Sequence, residues 1–99
     1  MTAQPGRWVT YIDAEGEDPR RSERMKEAYG VDVRVYCKFW GNPDTGFIDK
    51  YYCRFVADGK DYKIEETLEN NLTKEVDFNG KKYSRYVDAE LDLVALLKE

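Results

Sequence analysis

The sequence predicts an α+β fold, with a mainly antiparallel sheet of five to six strands, a short helix after the first strand and a C-terminal helix. Three observations predict it. Hydrophobicity alternates with a period of two over residues 31–40. Two dipeptides, Asp58-Gly59 and Asn79-Gly80, have the composition of two-residue hairpin loops. Residues that start and stop helices bracket residues 19–29.

The N-terminal third predicts one strand and one helix. Residues 7–13 are rich in aromatic and β-branched side chains, which favour a strand. Asp18 is expected to cap the following helix, Pro19 to occupy its first position and Gly30 to follow its last turn. The apolar stripe of this helix is narrow, so we expect the sheet to hold it in place.

A long hairpin is predicted next. Apolar residues occupy the odd positions of strand 31–40, and the turn-forming residues 41–46 connect it to a return strand over 47–57. This return strand enters the Asp-Gly loop. Because such a loop fixes the register of its hairpin, counting back from it places Cys53 opposite Ile64 and also pairs Phe55 with Tyr62. The odd residues of strand 47–57 are therefore expected to face the core.

The Asn-Gly loop predicts a third hairpin, in which Val76 lies opposite Tyr83 and Leu72 opposite Val87. The polar segment between the second and third hairpins, residues 65–73, is expected to be a connector whose form the sequence leaves open. After the third hairpin, the sequence predicts the C-terminal helix.

In that C-terminal helix, Asp88 is expected to act as the cap and residues 89–98 to be helical. The chain of 99 residues is expected to form one domain over residues 1–99, with 1–6 as a disordered tail. Its longest apolar run has five residues, so we expect no membrane span. Residues 1–12 show no signal-peptide pattern, which favours a cytoplasmic location.

Composition argues against catalysis. The chain has 20 acidic and 16 basic residues, a net charge of -4 and no histidine. Histidine is the commonest general base and transition-metal ligand, so we expect no enzyme activity, no metal site and no cofactor. The densest acidic cluster, residues 13–18, is interpreted as a solvated loop before a helix. A small carboxylate enzyme is the third hypothesis, and a divalent-metal requirement would identify it.

The two cysteines, Cys37 and Cys53, both fall on the odd, apolar side of the central hairpin. Free buried thiols are the expected state in a cytosolic protein. A disulfide stays open as an alternative if a three-residue loop over 44–46 places the two residues directly opposite each other.

The outward side of the central hairpin is the candidate binding surface. Aromatic and basic residues alternate on it, and it comprises Arg34, Tyr36, Lys38, Trp40, Lys50, Tyr52 and Arg54. Three interpretations fit this composition: core covered by a helix, a protein interface, or a platform for single-stranded nucleic acid. The acidic sequence, with a pI of about 4.9, favours a protein interface over nucleic acid.

The leading functional hypothesis is a non-catalytic small acidic protein that inhibits or sequesters a macromolecular partner, either a protein or a ribonucleoprotein. Phage anti-defence proteins and toxin-immunity proteins share this compositional type, which is an analogy of class. The alternative is a single-stranded nucleic-acid-binding module that uses the same aromatic and basic surface. A homodimer through the first strand is a further arrangement compatible with the sequence.

Overall fold

The computed structural model describes residues 7–10, 17–42 and 44–99. The elements are β1 (Arg7–Thr10), α1 (Pro19–Tyr29), β2 (Arg34–Gly41), β3 (Ile48–Ala57), β4 (Lys60–Glu69), β5 (Leu72–Phe78), β6 (Lys81–Tyr83) and α2 (Tyr86–Leu97). The six strands form one sheet in the order β1-β2-β3-β4-β5-β6, and every neighbouring pair is antiparallel. The predicted α+β class is confirmed. The predicted tail over 1–6 and the end of the predicted first strand, 11–13, lie outside the described residues.

Helix α1 begins and ends where its capping residues predict. The Asp18 side chain accepts hydrogen bonds from the backbone N–H groups of Arg20 and Arg21, at 3.1 and 3.3 Å. Gly30 has a φ of 71°, and its N–H donates to the Lys26 carbonyl at 2.9 Å. A left-handed φ strains residues that carry a Cβ atom, so glycine is favoured at this terminus.

The Asp-Gly and Asn-Gly loops also form as predicted. Both residues of each loop have positive φ, which is the backbone conformation of type I′ turns. The register that they set pairs Phe55 with Tyr62, Cys53 with Ile64 and Val76 with Tyr83. Cys53 and Phe55 are buried, which confirms the core side for these two odd residues. The prediction is wrong for Phe47, which lies before β3 and is 38% exposed.

Two predictions after residue 64 are wrong. Residues 65–73 are not a connector, because β4 continues to Glu69 and β5 begins at Leu72. A third two-residue loop joins them, in which Asn70 and Asn71 have φ of 54° and 64°. Asparagine tolerates this conformation better than other residues with a Cβ atom, so an Asn-Asn pair can form this loop without glycine.

The second wrong prediction is the pairing of Leu72 with Val87 in the third hairpin. Leu72 pairs with Glu69 across the Asn-Asn loop rather than with Val87. Strand β6 ends at Tyr83, and Val87 already lies in helix α2. A strand of three residues is too short to reach that partner.

Helix α2 begins three residues before the predicted start. It spans Tyr86–Leu97, with Arg85 at the N-cap position and no side-chain capping bond. Asp88, the predicted cap, lies inside the first turn, where its carboxylate accepts a hydrogen bond from the Arg85 guanidinium at 3.0 Å. Negative charge in the first turn of a helix is favourable, so this carboxylate stabilises the terminus without capping it.

Both helices pack on one face of the sheet, which we call the covered face. Met25 of α1 and Leu93 of α2 are fully buried in the same core as Val35 and Ile64 of the sheet. Val33 lies just before β2 and is buried in this core too. In the described part of the chain, no helix is long and apolar enough to cross a membrane.

Candidate partner-binding face

The opposite face of the sheet, which we call the open face, carries the predicted binding residues. Side chains alternate along a strand, so the register that buries Val35 and Phe55 turns Tyr36 and Arg54 to the open face. Neither of the two described helices packs there. The interpretation in which a helix covers these residues therefore does not match the described structure.

Cross-strand pairing arranges the predicted residues in rows. Three rows each contain one ring and one cation, and they are Tyr36 with Arg54, Lys38 with Tyr52, and Trp40 with Lys50. The ring lies on β2 in the first and third rows and on β3 in the second. The remaining predicted residue, Arg34, pairs with Val56 at the end of the hairpin. All seven predicted residues are thus brought together, and we call them the aromatic–basic patch.

Contacts within the rows hold the cations near the rings. The Lys38 Nζ atom lies 5.1 Å from the centre of the Tyr52 ring, and the Arg54 Cζ atom lies 5.2 Å from the centre of the Tyr36 ring. At an exposed site, each such contact contributes about 0.5 to 1 kcal/mol. Arg34, Lys50 and Arg54 are exposed. The patch therefore presents positive charge that its own rings orient.

Charged residues of both signs adjoin the aromatic–basic patch on β4, where Lys63 lies opposite Arg54, between Asp61 and Glu65. The Arg54 Nε atom lies 3.2 Å from a carboxylate oxygen of Asp61, and both side chains are more than two-fifths exposed. Glu65 lies directly opposite Tyr52. Part of the positive charge of the patch is therefore balanced within a single strand spacing of about 4.8 Å.

Three carboxylates continue across β4 and β5 on the open face. Glu65 pairs directly with Asp77, and Thr67 pairs with Glu75, so their side chains lie on the same side. The Lys82 Nζ atom on β6 donates to Glu75 at 3.0 Å and to Asp77 at 2.9 Å. We call Glu65, Glu75 and Asp77 the acidic strip. Interpreting 65–73 as a connector hid this strip, although the Asn-Asn pair would have revealed the strands on both sides.

The acidic cluster before α1 has structural roles where it is described. Glu17 accepts a hydrogen bond from the Ser22 hydroxyl at 2.8 Å, and Asp18 caps the helix. Asp13 and Glu15 lie outside the described residues. Among the residues that the structure describes, no group of three or more cysteines and carboxylates is placed to hold a metal ion.

No protein-family model, curated protein or solved structure matches this chain. The functional assignment therefore depends on the open face itself. Its defining features are alternating rings and cations on β2 and β3, with carboxylates on β4 and β5 beside them.

Proposed function

We propose that the chain is a non-catalytic binding protein whose open face docks on a protein or ribonucleoprotein partner and thereby inhibits or sequesters it. The observation that carries this proposal is the aromatic–basic patch on the sheet face opposite both helices. Tyrosine, tryptophan and arginine are enriched at the energetic centres of protein interfaces. Such residues on the open face of a sheet favour recognition of a macromolecule.

The size of the patch supports an interface that extends beyond it. Two strands over residues 34–40 and their partners cover a projected area of about 200 Å², given strand spacings of about 4.8 Å and rises of about 3.3 Å per residue. A stable protein interface buries about 800 Å² on each partner. The interface therefore extends beyond the aromatic–basic patch, and we infer that it includes the acidic strip on the β4 side.

This requirement fixes the chemistry of the partner surface. Acidic groups on the partner would meet Lys38, Lys50 and Arg54, while basic groups would meet Glu65 on the neighbouring strand. Matched patches of opposite sign raise association rates and select one register of docking. We therefore infer a partner with an acidic patch beside a basic one.

Single-stranded nucleic acid is the second candidate, favoured by the ring in each of the three rows. Bases stack on exposed aromatic side chains at about 1 to 3 kcal/mol each. Phosphates near Tyr52 would, however, lie beside Glu65, and Asp61 already pairs with Arg54. These carboxylates lie within the Debye length of about 8 Å, so salt does not screen their repulsion fully. For this reason a protein surface is preferred.

The test compares affinity capture by the unmodified protein and by a charge-reversed variant. Lys38→Glu with Arg54→Glu reverses two charges of the patch, and Arg20→Glu with Lys26→Glu reverses two exposed charges of α1 as the matched control. We expect a partner that the unmodified protein and the control retain, and that the reversed variant loses. Circular dichroism and thermal unfolding confirm that each variant is folded. A partner retained equally by all three would contradict the proposal.

A second experiment separates the two candidates. Fluorescence polarisation with labelled single-stranded DNA and RNA, at low and moderate salt, measures nucleic-acid binding directly. Binding that falls steeply with salt and is lost in Tyr36→Ala and Tyr52→Ala would replace the protein-interface proposal with the nucleic-acid one. Absence of binding at low salt would leave the protein interface.

A further inference from the structure

A pair of thiols lies at the centre of the covered face. Cys37 of β2 and Cys53 of β3 are directly opposite each other, and their Sγ atoms are 2.7 Å apart. Both are buried, with 3% and 0% of their surfaces exposed. Neither is in a disulfide in this structure. The sequence left this register open, and the structure shows that it brings the two thiols together.

The loop that produces this register differs from the three-residue loop over 44–46 on which the disulfide alternative depended. Asn42 and Phe47 close it through a backbone hydrogen bond of 2.9 Å, and four residues separate them in the sequence. A bulge compensates for the extra residue, since Trp40 pairs with Lys50 but Gly41 pairs with Ile48. The cysteines stay in register because the bulge absorbs the difference.

Polar groups surround the thiols inside an otherwise apolar core. Arg21 reaches in from α1, where its Nη1 atom lies 3.7 Å from Cys53 Sγ and its Nη2 atom donates to the Tyr51 hydroxyl at 3.1 Å. Its Nε atom lies 3.4 Å from an oxygen of Asp18. The buried Tyr86 hydroxyl makes no hydrogen bond to any described residue. A guanidinium close to a thiol stabilises the thiolate.

The surroundings give the two sulfurs different acidities. A hydrogen bond from the Cys37 thiol lowers the pKa of Cys53, and the Arg21 guanidinium acts in the same direction against the effect of burial. The hydrogen bond to Cys53, together with burial, raises the pKa of Cys37. Cys53 is therefore the nucleophile of the pair, and Cys37 stays protonated beside it.

We propose that Cys37 and Cys53 form an oxidation site of the folded protein, at which hydrogen peroxide converts the two thiols to a disulfide between β2 and β3. Directly opposed residues of an antiparallel pair have Cα atoms about 4.5 to 5.5 Å apart, which falls in the range that disulfides span. The bond can therefore form without displacement of either strand. The buried sulfurs admit a small oxidant such as peroxide and exclude bulky disulfides.

The reaction has two balanced steps. The Cys53 thiolate attacks one oxygen of peroxide, the O–O bond breaks, and the leaving hydroxide takes up the proton that Cys53 released, giving water and a sulfenic acid. The Cys37 sulfur then attacks Cys53 Sγ, the S–O bond breaks, and hydroxide leaves with the Cys37 proton as a second water. The two thiols lose two electrons, and one peroxide is reduced to two waters.

The direct test treats the reduced, folded protein with peroxide and measures its intact mass. We expect a monomer that has lost the mass of two hydrogen atoms, with no thiol titratable by Ellman's reagent in denaturant. We also expect glutathione disulfide to react at least about tenfold more slowly than peroxide, because burial limits the access of the larger reagent. Two thiols that stay titratable, or a disulfide between two chains, would overturn the proposal.

Variants test the assigned roles. In Cys37→Ser, we expect Cys53 to stop at the sulfenic acid, which the intact mass shows as the gain of one oxygen atom. In Cys53→Ser, we expect oxidation of Cys37 at least about tenfold slower, because the remaining thiol is the less acidic one. Equal rates of oxidation in the two variants would show that neither sulfur is the preferred nucleophile.

A further pair of variants isolates the positioning role of Arg21. Arg21→Gln removes the cation near Cys53, and Arg20→Gln removes an exposed neighbour on the same helix. We expect the first variant to slow oxidation by about tenfold and to raise the pH at which peroxide oxidises Cys53, and the second to change neither. If circular dichroism shows that Arg21→Gln is unfolded, a second comparison uses the unmodified protein. We then expect the folded protein to be oxidised faster than the same protein unfolded in urea. An equal or slower folded rate would contradict activation by this site.

Discussion

The two faces of the sheet use the same strands for different purposes. On β3, Cys53 and Phe55 are at most 1% exposed, while Arg54 between them is exposed. The covered face makes a core with α1 and α2, and the open face carries alternating rings and charges. Because side chains alternate along a strand, one residue can change on the open face with little effect on the core. Alternate residues of the same strand therefore serve the stability of the domain and its candidate binding surface.

The largest expected effect is on the covered face. Phe55→Ala removes one of the largest fully buried side chains and should lower the free energy of unfolding by about 3 to 5 kcal/mol. That is a large share of the total of about 5 to 15 kcal/mol for a typical domain. Urea unfolding followed by tryptophan fluorescence measures it. A loss below about 1 kcal/mol would mean that the covered face is not the core.

The second effect tests a carboxylate on the helix side of the sheet. Glu90 is 2% exposed, forms an ion pair with Arg24, and accepts a hydrogen bond from the Tyr29 hydroxyl at 2.9 Å. Glu90→Gln leaves these donors with a weaker partner, so we expect a loss of about 1 to 3 kcal/mol. Asp88→Asn breaks the exposed pair with Arg85 on the same helix and should change stability by less than about 1 kcal/mol. Equal losses in thermal unfolding would refute the assigned difference in burial.

A third prediction concerns the cap that fixes α1 against the sheet. Asp18→Ala removes the acceptor of two backbone hydrogen bonds and should cost about 1 kcal/mol. Asp18→Asn keeps an acceptor oxygen and should recover more than half of that loss. The comparison of both variants by denaturant unfolding distinguishes capping from the ion pair with Arg21. If the asparagine variant is as unstable as the alanine variant, the ion pair matters more than the cap.

The fourth prediction uses alkaline pH to probe Tyr51 on the covered face. Burial raises the pKa of Tyr51 from 10 to about 12, with Arg21 opposing the change. A raised pKa favours the protonated phenol in the folded state, so its contribution is complete below pH 10 and is lost as pH rises to about 12. Since Tyr51 is only half-buried, we expect a loss below about 1 kcal/mol. Tyr51→Phe should reduce this decline in pH-dependent unfolding, and an unchanged decline would contradict its origin in Tyr51.

The smallest expected effect is on the open face. Arg54→Ala and Asp61→Asn each disrupt the exposed pair across β3 and β4, and each should change stability by less than about 1 kcal/mol. A double-mutant cycle measured by urea unfolding gives their coupling, which we expect to be within about 0.5 kcal/mol. Coupling of several kcal/mol would show that the open face also stabilises the fold. The inference that stability and the candidate binding surface lie on separate faces would then be wrong.

Prediction succeeded where a local feature decided the structure. The caps of α1, the two glycine-containing loops and the period of two each depend on residues close in sequence. Prediction failed at Asn70 and Asn71, because two asparagines are a weaker signal for a type I′ turn than Asn-Gly. It also failed at the start of α2, where Asp88 was the strongest capping residue but Arg85 occupies the cap position.

For the candidate site, the sequence predicted the seven residues of the aromatic–basic patch, and the register places them together. The acidic strip was missed, because it depends on extending β4 and β5 through the segment interpreted as a connector. The partner of these two surfaces is a proposal, because the residues of one surface do not identify the molecule that binds it.

The sequence by itself determined which residues share a face, because the pleat of a strand and the chemistry of short turns act over a few neighbouring residues. Only the tertiary structure decided which face the helices cover and how Arg21 reaches Cys53. It also decided that a bulge after Trp40 keeps Cys37 opposite Cys53. These features depend on packing between segments far apart in the chain. Their energies arise from buried contacts that no local pattern encodes.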